Sequence, residues 1–155
     1  MEAPAYDRCL SRLQKQCSKA EYCASDVFRK ALKALDGDVE AASRLVAALV
    51  ADRYVDDARY AAAFAREKAS LQGWGPVKIR FQLRSKGVSE EVISAALAEV
   101  DPSRADDKLD RLLSAKARTL QGDPQIRLKL LKYALSRGYE YDDVEAALKR
   151  LKVNQ

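Results

Sequence analysis

Apolar positions recur at helical spacing along the whole chain, in three sets of three segments. The first segment runs from about Tyr6 to Gln16. Ser18 then opens S-K-A-E, a capping box in which Glu21 reaches back to the cap N–H. The helix predicted after it carries Tyr22, Val27, Phe28, Ala31, Leu32 and Leu35 and stops at Gly37. Asp38 caps a third, with Ala42, Leu45, Val46 and Leu49 on one face. The order then returns. Asp56 or Asp57 starts a long helix, because a short carboxylate accepts hydrogen bonds from the free N–H groups of a first turn. Tyr60, Ala61, Phe64, Ala65, Lys68 and Leu71 share one face of it, and Gly73 ends it. Gly75-Pro76 starts the next helix, since proline fits the first helical position, and Gly87 ends that one. Ser89 caps a third, with Glu90 and Glu91 at the positive end of its dipole and Ile93, Ala96, Leu97 and Val100 facing inward. Asp101-Pro102 begins the last set. Leu109, Leu112, Leu113, Ala117 and Leu120 mark one helix, Asp123-Pro124 opens another that stops at Gly138, and the last, from near Asp142, presents Val144, Ala147, Leu148 and Leu151.

The stop glycines at 37, 87 and 138 lie 50 and 51 residues apart. A period of that size with one helical unit per repeat predicts a repeat array. The expected fold is all-α: an elongated, curved row of three tandem three-helix repeats (6–53, 54–100 and 101–152) in one domain over 1–155. In the second and third repeats Lys78 falls on Lys129, and Ser85-Lys86-Gly87 on Ser136-Arg137-Gly138. The first repeat departs: its glycine sits in L-D-G-D with no basic residue directly before it, so second-repeat roles are not carried onto it.

Composition narrows the function. The 155 residues are 48% hydrophobic and 33% charged, which fits a soluble globular protein. No apolar run reaches the roughly 20 residues that span a bilayer, and the N-terminus lacks a signal-peptide pattern, so the expected location is the cytoplasm. Three cysteines, Cys9, Cys17 and Cys23, read as free and buried; with no histidine in the chain a zinc site is a poor fit. The same lack of histidine removes Ser-His and Cys-His nucleophile pairs. Phosphate-binding glycine loops and acidic metal loops are also missing. An enzyme is not expected, nor a cofactor.

Charge points elsewhere. From Arg66 to Gly87 the basic residues Arg66, Lys68, Lys78, Arg80, Arg84 and Lys86 face one acid, Glu67, so this segment alone holds an excess equal to the chain's net +5. Arg127, Lys129, Lys132 and Arg137 repeat the bias without an acid between Pro124 and Gly138. Aligned by a curved array, these helices would present a positive stripe suited to a polyanion or an acidic protein groove. Each cation is equally readable as the solvated side of an amphipathic helix. Ile79 and Leu83 pack inward, and Val77, Phe81 and Arg84 are not all expected to face solvent, which leaves Lys78, Arg80 and Lys86 as exposed candidates. Trp74, the only tryptophan, either plugs a gap between helices, anchors a partner or stacks on a base. Arg59, three residues after Asp56, reads as half of a local ion pair. The Lys86-Gly87-Val88 step also fits a helix-turn-helix, though the repetition argues against it.

The run D-D-x-R-Y-A (Asp56, Asp57, Arg59, Tyr60), then Phe64, then G-W-G-P-x-K-I from Gly73 through Gly75 to Ile79, ending L-x-x-K-G-V-S around Gly87, resembles the RecX family of RecA regulators. The likeness is densest over 54–97 and looser over about 10–151. It implies a tandem array of three-helix modules and a non-enzymatic modulator lodged in the groove of the RecA–single-stranded DNA filament. There it would block duplex and SOS-repressor entry and depress ATP hydrolysis and strand exchange. The partners implied are the RecA filament and single-stranded DNA, directly or through RecA, with the chain as a monomer. Candidate contacts are Arg66, Lys68, Trp74, Lys78, Arg80, Arg84, Lys86, Lys129, Lys132 and Arg137. A stand-alone basic helical-repeat DNA-binding protein is the alternative.

Overall fold

The structure, a computed structural model, describes residues 3–100 and 102–152, with side chains for 4–100 and 106–152; the expected start of the third set at Asp101 lies outside them. The described residues form nine α-helices and no strand: α1 (Ala3–Lys19), α2 (Ala24–Ala34), α3 (Val39–Ala51), α4 (Asp57–Leu71), α5 (Pro76–Ser85), α6 (Glu90–Ala98), α7 (Pro102–Thr119), α8 (Ile126–Ser136) and α9 (Tyr141–Leu151).

The caps explain most of these boundaries. Asp38 accepts from the Ala41 N–H, Asp56 from the Ala58 and Arg59 N–H groups, and Ser89 from the Val92 N–H. Pro76 opens α5 behind Gly75. The expected capping box at Ser18 is not formed. There α1 runs on to Lys19, the Ser18 hydroxyl bonds back to the Gln14 carbonyl at 2.8 Å, and α2 begins only after Cys23. Glu21 is engaged elsewhere, as described below.

Helices pack within the triplets α1–α3, α4–α6 and α7–α9, each around its own apolar cluster. The first centres on Val27, Ala31, Leu35, Leu45 and Leu49, the second on Ala61, Ala65, Ile79, Leu83 and Ile93, and the third on Leu109, Leu113, Leu130, Val144 and Leu148. Each fully buried Leu, Ile or Val contributes about 1.5–3 kcal/mol, far above a surface ion pair, so these clusters hold the triplets. Three small cores in a row leave more surface than one large core. The accessible area of 9461 Å² exceeds the roughly 7,800 Å² of a compact monomer of this mass, and the protein is an elongated helical-repeat array.

The triplets meet through the ends of their middle helices. At one joint the Gly75 N–H donates to the Arg137 carbonyl at 2.8 Å and the Val77 N–H to the Gly138 carbonyl at 2.9 Å, so the end of α8 caps the start of α5. Tyr139 Oη adds a bond to the Gly73 carbonyl at 3.1 Å, and Lys108 Nζ one to the Ala69 carbonyl at 2.6 Å. At the other joint the Ser25 hydroxyl at the start of α2 donates to the Lys86 carbonyl at the end of α5 at 2.5 Å, and Lys86 Nζ lies 3.1 Å from Asp26 Oδ1. The middle helices therefore follow one another end to end, α8 to α5 to α2, opposite to chain order. Each carbonyl-rich C-terminus meets the next N-terminus, the favourable sense for their dipoles.

Burial alone would raise the Asp26 carboxyl, but Lys86 above all, with Arg29, holds it below the usual carboxylate value. A carboxylate depressed in the folded state stabilises above its unfolded pKa of about 3.9 and loses that contribution as pH falls through the lower folded value. Asp26→Asn is therefore expected to lower stability by about 1 kcal/mol at pH 6, and the gap from the native protein to close toward pH 3. Thermal melts of both at the two pH values check this.

Candidate functional site

The D-D-x-R-Y run lies at the α2–α5 joint. Asp56 caps α4. Asp57 Oδ1 accepts the Ala24 N–H at the start of α2 at 2.8 Å. The ion pair expected between Arg59 and Asp56 is replaced by a longer-range one: Arg59 Nε donates to Glu21 Oε2 at 2.6 Å, and its other nitrogen reaches the Arg53 and Tyr54 carbonyls at 3.2 and 3.3 Å. Asp56 has already spent Oδ1 on two backbone N–H groups, and Glu21 lies within reach across the joint. Tyr60 is half-buried; burial first, then the nearby Cys23, Asp26 and Asp57, pushes its hydroxyl up to about 12. Gly75 belongs to the other joint, and Gly87 follows α5 with φ 79°, against Ser25.

The candidate contact residues fall into four groups. Lys86 and Arg137 build joints; an Arg137 nitrogen donates to the Gln72 carbonyl at 2.7 Å, and its Nε is buried without an acceptor among the described residues. Arg80, Arg84 and Lys129 are paired locally. Glu90 takes Arg80 on one oxygen at 2.7 Å and Arg84 on the other at 2.7 Å, and is held below its ordinary pKa chiefly by Arg84. Lys129 lies 2.5 Å from Asp123 and depresses that carboxyl. Lys68 and Lys78 sit over the Trp74 ring, 5.0 and 4.4 Å from its centroid, while Phe64 meets the ring edge-on at 6.1 Å. Trp74 also walls a cleft of about 590 Å³ between the second and third triplets, with Pro76, Ile79, Leu97 and Tyr139. The fourth group is Arg66 and Lys132, exposed and, among the described residues, without an ion pair or hydrogen-bond partner.

On α5 the structure corrects one expectation. Ile79 and Leu83 are buried, but Val77, Phe81 and Arg84 all face solvent. Positions 77 and 79 are about 200° apart on a helix. Once the Ile79–Leu83 edge takes the core, Val77 and Phe81 must point out.

Sequence reasoning passed over a third basic face. Arg29, Lys30 and Lys33 line a hollow of about 280 Å³ with Tyr22 and Asp26, and Lys30 Nζ lies 4.7 Å from the Tyr22 ring centroid. Arg29 is paired with Asp26, whereas Lys33 has no such partner among the described residues. The signal lies in the F-R-K-A-L-K run itself, which is easily passed over because no basic residue directly precedes Gly37.

The profile of the RecX second three-helix domain matches residues 56–97, which take in nearly all of α4–α6. The chain is 31% identical over 112 residues to the regulatory protein RecX of Bacillus mycoides, covering 71% of this chain and 42% of that one; this chain thus matches less than half the length of that relative. It is 28% identical over 154 residues to the regulatory protein RecX of Escherichia fergusonii, covering 92% and 90%. A crystal structure of a regulatory protein RecX superposes with a TM-score of 0.82 at 24% identity over 94% of this chain and 72% of the other. RecX from Lactobacillus salivarius superposes at 0.81 and 17% identity over 97% and 99%, showing the same fold. The matched segment coincides with the triplet that carries the D-D-x-R-Y run and both joints, so the chain holds a match to the RecX second three-helix domain and is similar to regulatory RecX proteins over most of its length.

Proposed function

We propose that the chain is a non-enzymatic modulator of the RecA recombinase. It lies in the groove of the RecA–single-stranded DNA filament and depresses ATP hydrolysis, strand exchange and coprotease activity, in recombinational repair and SOS control in the cytoplasm. Similarity to the RecX second three-helix domain and to regulatory RecX proteins supports the assignment. The observation that carries it is the end-to-end linkage of the three middle helices through backbone bonds and the Lys86–Asp26 pair. A frame of that kind holds several weak surfaces at set spacing, so they engage a periodic polymer together at high effective concentration. In this reading the units 6–53, 54–100 and 101–152 each bring one middle helix to the filament.

The test adds the protein, substoichiometrically and in excess, to preformed RecA filaments and follows ATPase and strand exchange. Inhibition of both is expected, with a binding component that survives raised salt. A protein that binds bare single-stranded DNA, loses that binding steeply with salt and leaves both activities untouched at every ratio would instead be a stand-alone DNA-binding protein.

A further inference from the structure

Four large apolar side chains lie outside every core on the two middle helices joined at Gly138. Val77 and Phe81 on α5 are 47% and 64% exposed, and Leu128 and Leu135 on α8 are 42% and 39% exposed. One pair stands in register, Val77 and Leu128, repeat equivalents 51 residues apart; at the other two positions a cation takes the equivalent place, Lys132 for Phe81 and Arg84 for Leu135. They also border one joint: Leu135 lies three residues before Gly138, whose carbonyl accepts the Val77 N–H. Large apolar residues left exposed about one joint point to an interaction site.

We propose that the outward faces of α5 and α8 form a single apolar strip that seats an amphipathic protein segment whose own apolar stripe is edged by carboxylates. The chemistry decides between a protein and a nucleic acid. Three of the four side chains are aliphatic and offer no ring for a base to stack on. The cations beside them are largely spoken for: Arg80 and Arg84 by Glu90, Lys129 by Asp123 and Arg127 by Glu145 at 2.8 Å. Little positive charge is left to line up phosphates. What remains still favours acid at the edges, because neither helix carries an acidic residue and Lys132 makes no pair among the described residues. A second copy of this strip would bring lysine against lysine. The occupant that fits is a helix laid apolar face down, in the helix-in-groove manner.

This inference rests on the functional reading above and deepens it: the strip meets the protein wall of the filament, while nucleic acid is met by other cations. The test compares the native protein with Val77→Ser/Phe81→Ser/Leu128→Ser/Leu135→Ser, and with the milder Phe81→Ser/Leu135→Ser in case the quadruple change disturbs folding. Each is titrated by fluorescence anisotropy against preformed RecA–DNA filament and against a labelled oligothymidine. Filament affinity is expected to fall by about tenfold or more for the quadruple variant, as when central apolar anchors are truncated. Oligothymidine affinity is expected to stay within about twofold, since no phosphate-binding cation is removed. Equal filament binding by native and variant proteins overturns the strip and leaves the functional reading standing. A matching loss on oligothymidine overturns it in favour of a nucleic-acid surface. A native protein that ignores the filament takes down the functional reading and this inference with it.

Discussion

Alanine at position 138 is expected to break the joint between the second and third triplets. Gly138 has a φ of 95°, and a Cβ there would lie 2.3 Å from Lys78 Cβ and 2.8 Å from the Lys78 nitrogen. The close approach goes both ways: a Cβ on Gly75 would come within 2.3 Å of the Gly138 carbonyl oxygen. Neither backbone can move without losing the two bonds that cap α5. Positive-φ strain of about 1–2 kcal/mol adds to that overlap, so Gly138→Ala should cost about 3 kcal/mol or more. Gly37→Ala is the control. Gly37 also has positive φ (83°) but nothing within 4 Å of the added atom, so it should cost only about 1 kcal/mol. Denaturant melts of both, with hydrogen exchange at the Val77 amide, read the difference. Equal losses would mean that the joint is not held by this close approach.

The second large effect separates binding cations from structural ones. Lys33 and Arg66 are exposed, unpaired among the described residues and off the strip that Lys132 edges. Changing both to serine should weaken binding to single-stranded DNA by about fivefold at low salt. The salt slope should fall by about 1.4, at about 0.7 for each phosphate no longer neutralised. Stability should stay within about 0.5 kcal/mol, as for most surface changes. Lys86→Ser and Arg137→Ser should do the reverse, costing about 1–2 kcal/mol each because they remove the joint-spanning partners of Asp26 and of the Gln72 carbonyl. Binding isotherms at several salt concentrations, set beside thermal melts, check both. The expectation that Lys78, Arg80 and Lys86 are the exposed candidates therefore gives way, since all three are half-buried, to a division by what each side chain touches.

Much of the fold is legible in the sequence because it is local. Asp38, Asp56 and Ser89 announce their helices through bonds to N–H groups two or three residues on, and Pro76 and Gly87 act through their own dihedral preferences. The three-fold order shows in the spacing of the stop glycines. What stays hidden is what joins residues far apart in the chain. Nothing near Glu21 says that its partner is Arg59, and the Ser18 box fails because α1 extends through it. Lys86 and Arg137 look like any basic residue before a terminal glycine, yet each is held by the neighbouring triplet. The outward turn of Val77 and Phe81 is within reach of helical geometry, since their edge lies opposite the Ile79–Leu83 edge; two apolar pairs do not make one face.

Central to this picture is the proposal that the joined middle helices present the working surface of the array. Hydroxyl-radical footprinting of the native protein, free and bound to RecA–DNA filament, tests it directly. Phe81, Leu128 and Leu135 should be protected on binding, while Val39 and Leu71, exposed to 59% and 78% off the middle helices, should react as before. Protection of Val39 and Leu71 with unchanged labelling of Phe81, Leu128 and Leu135 would contradict it.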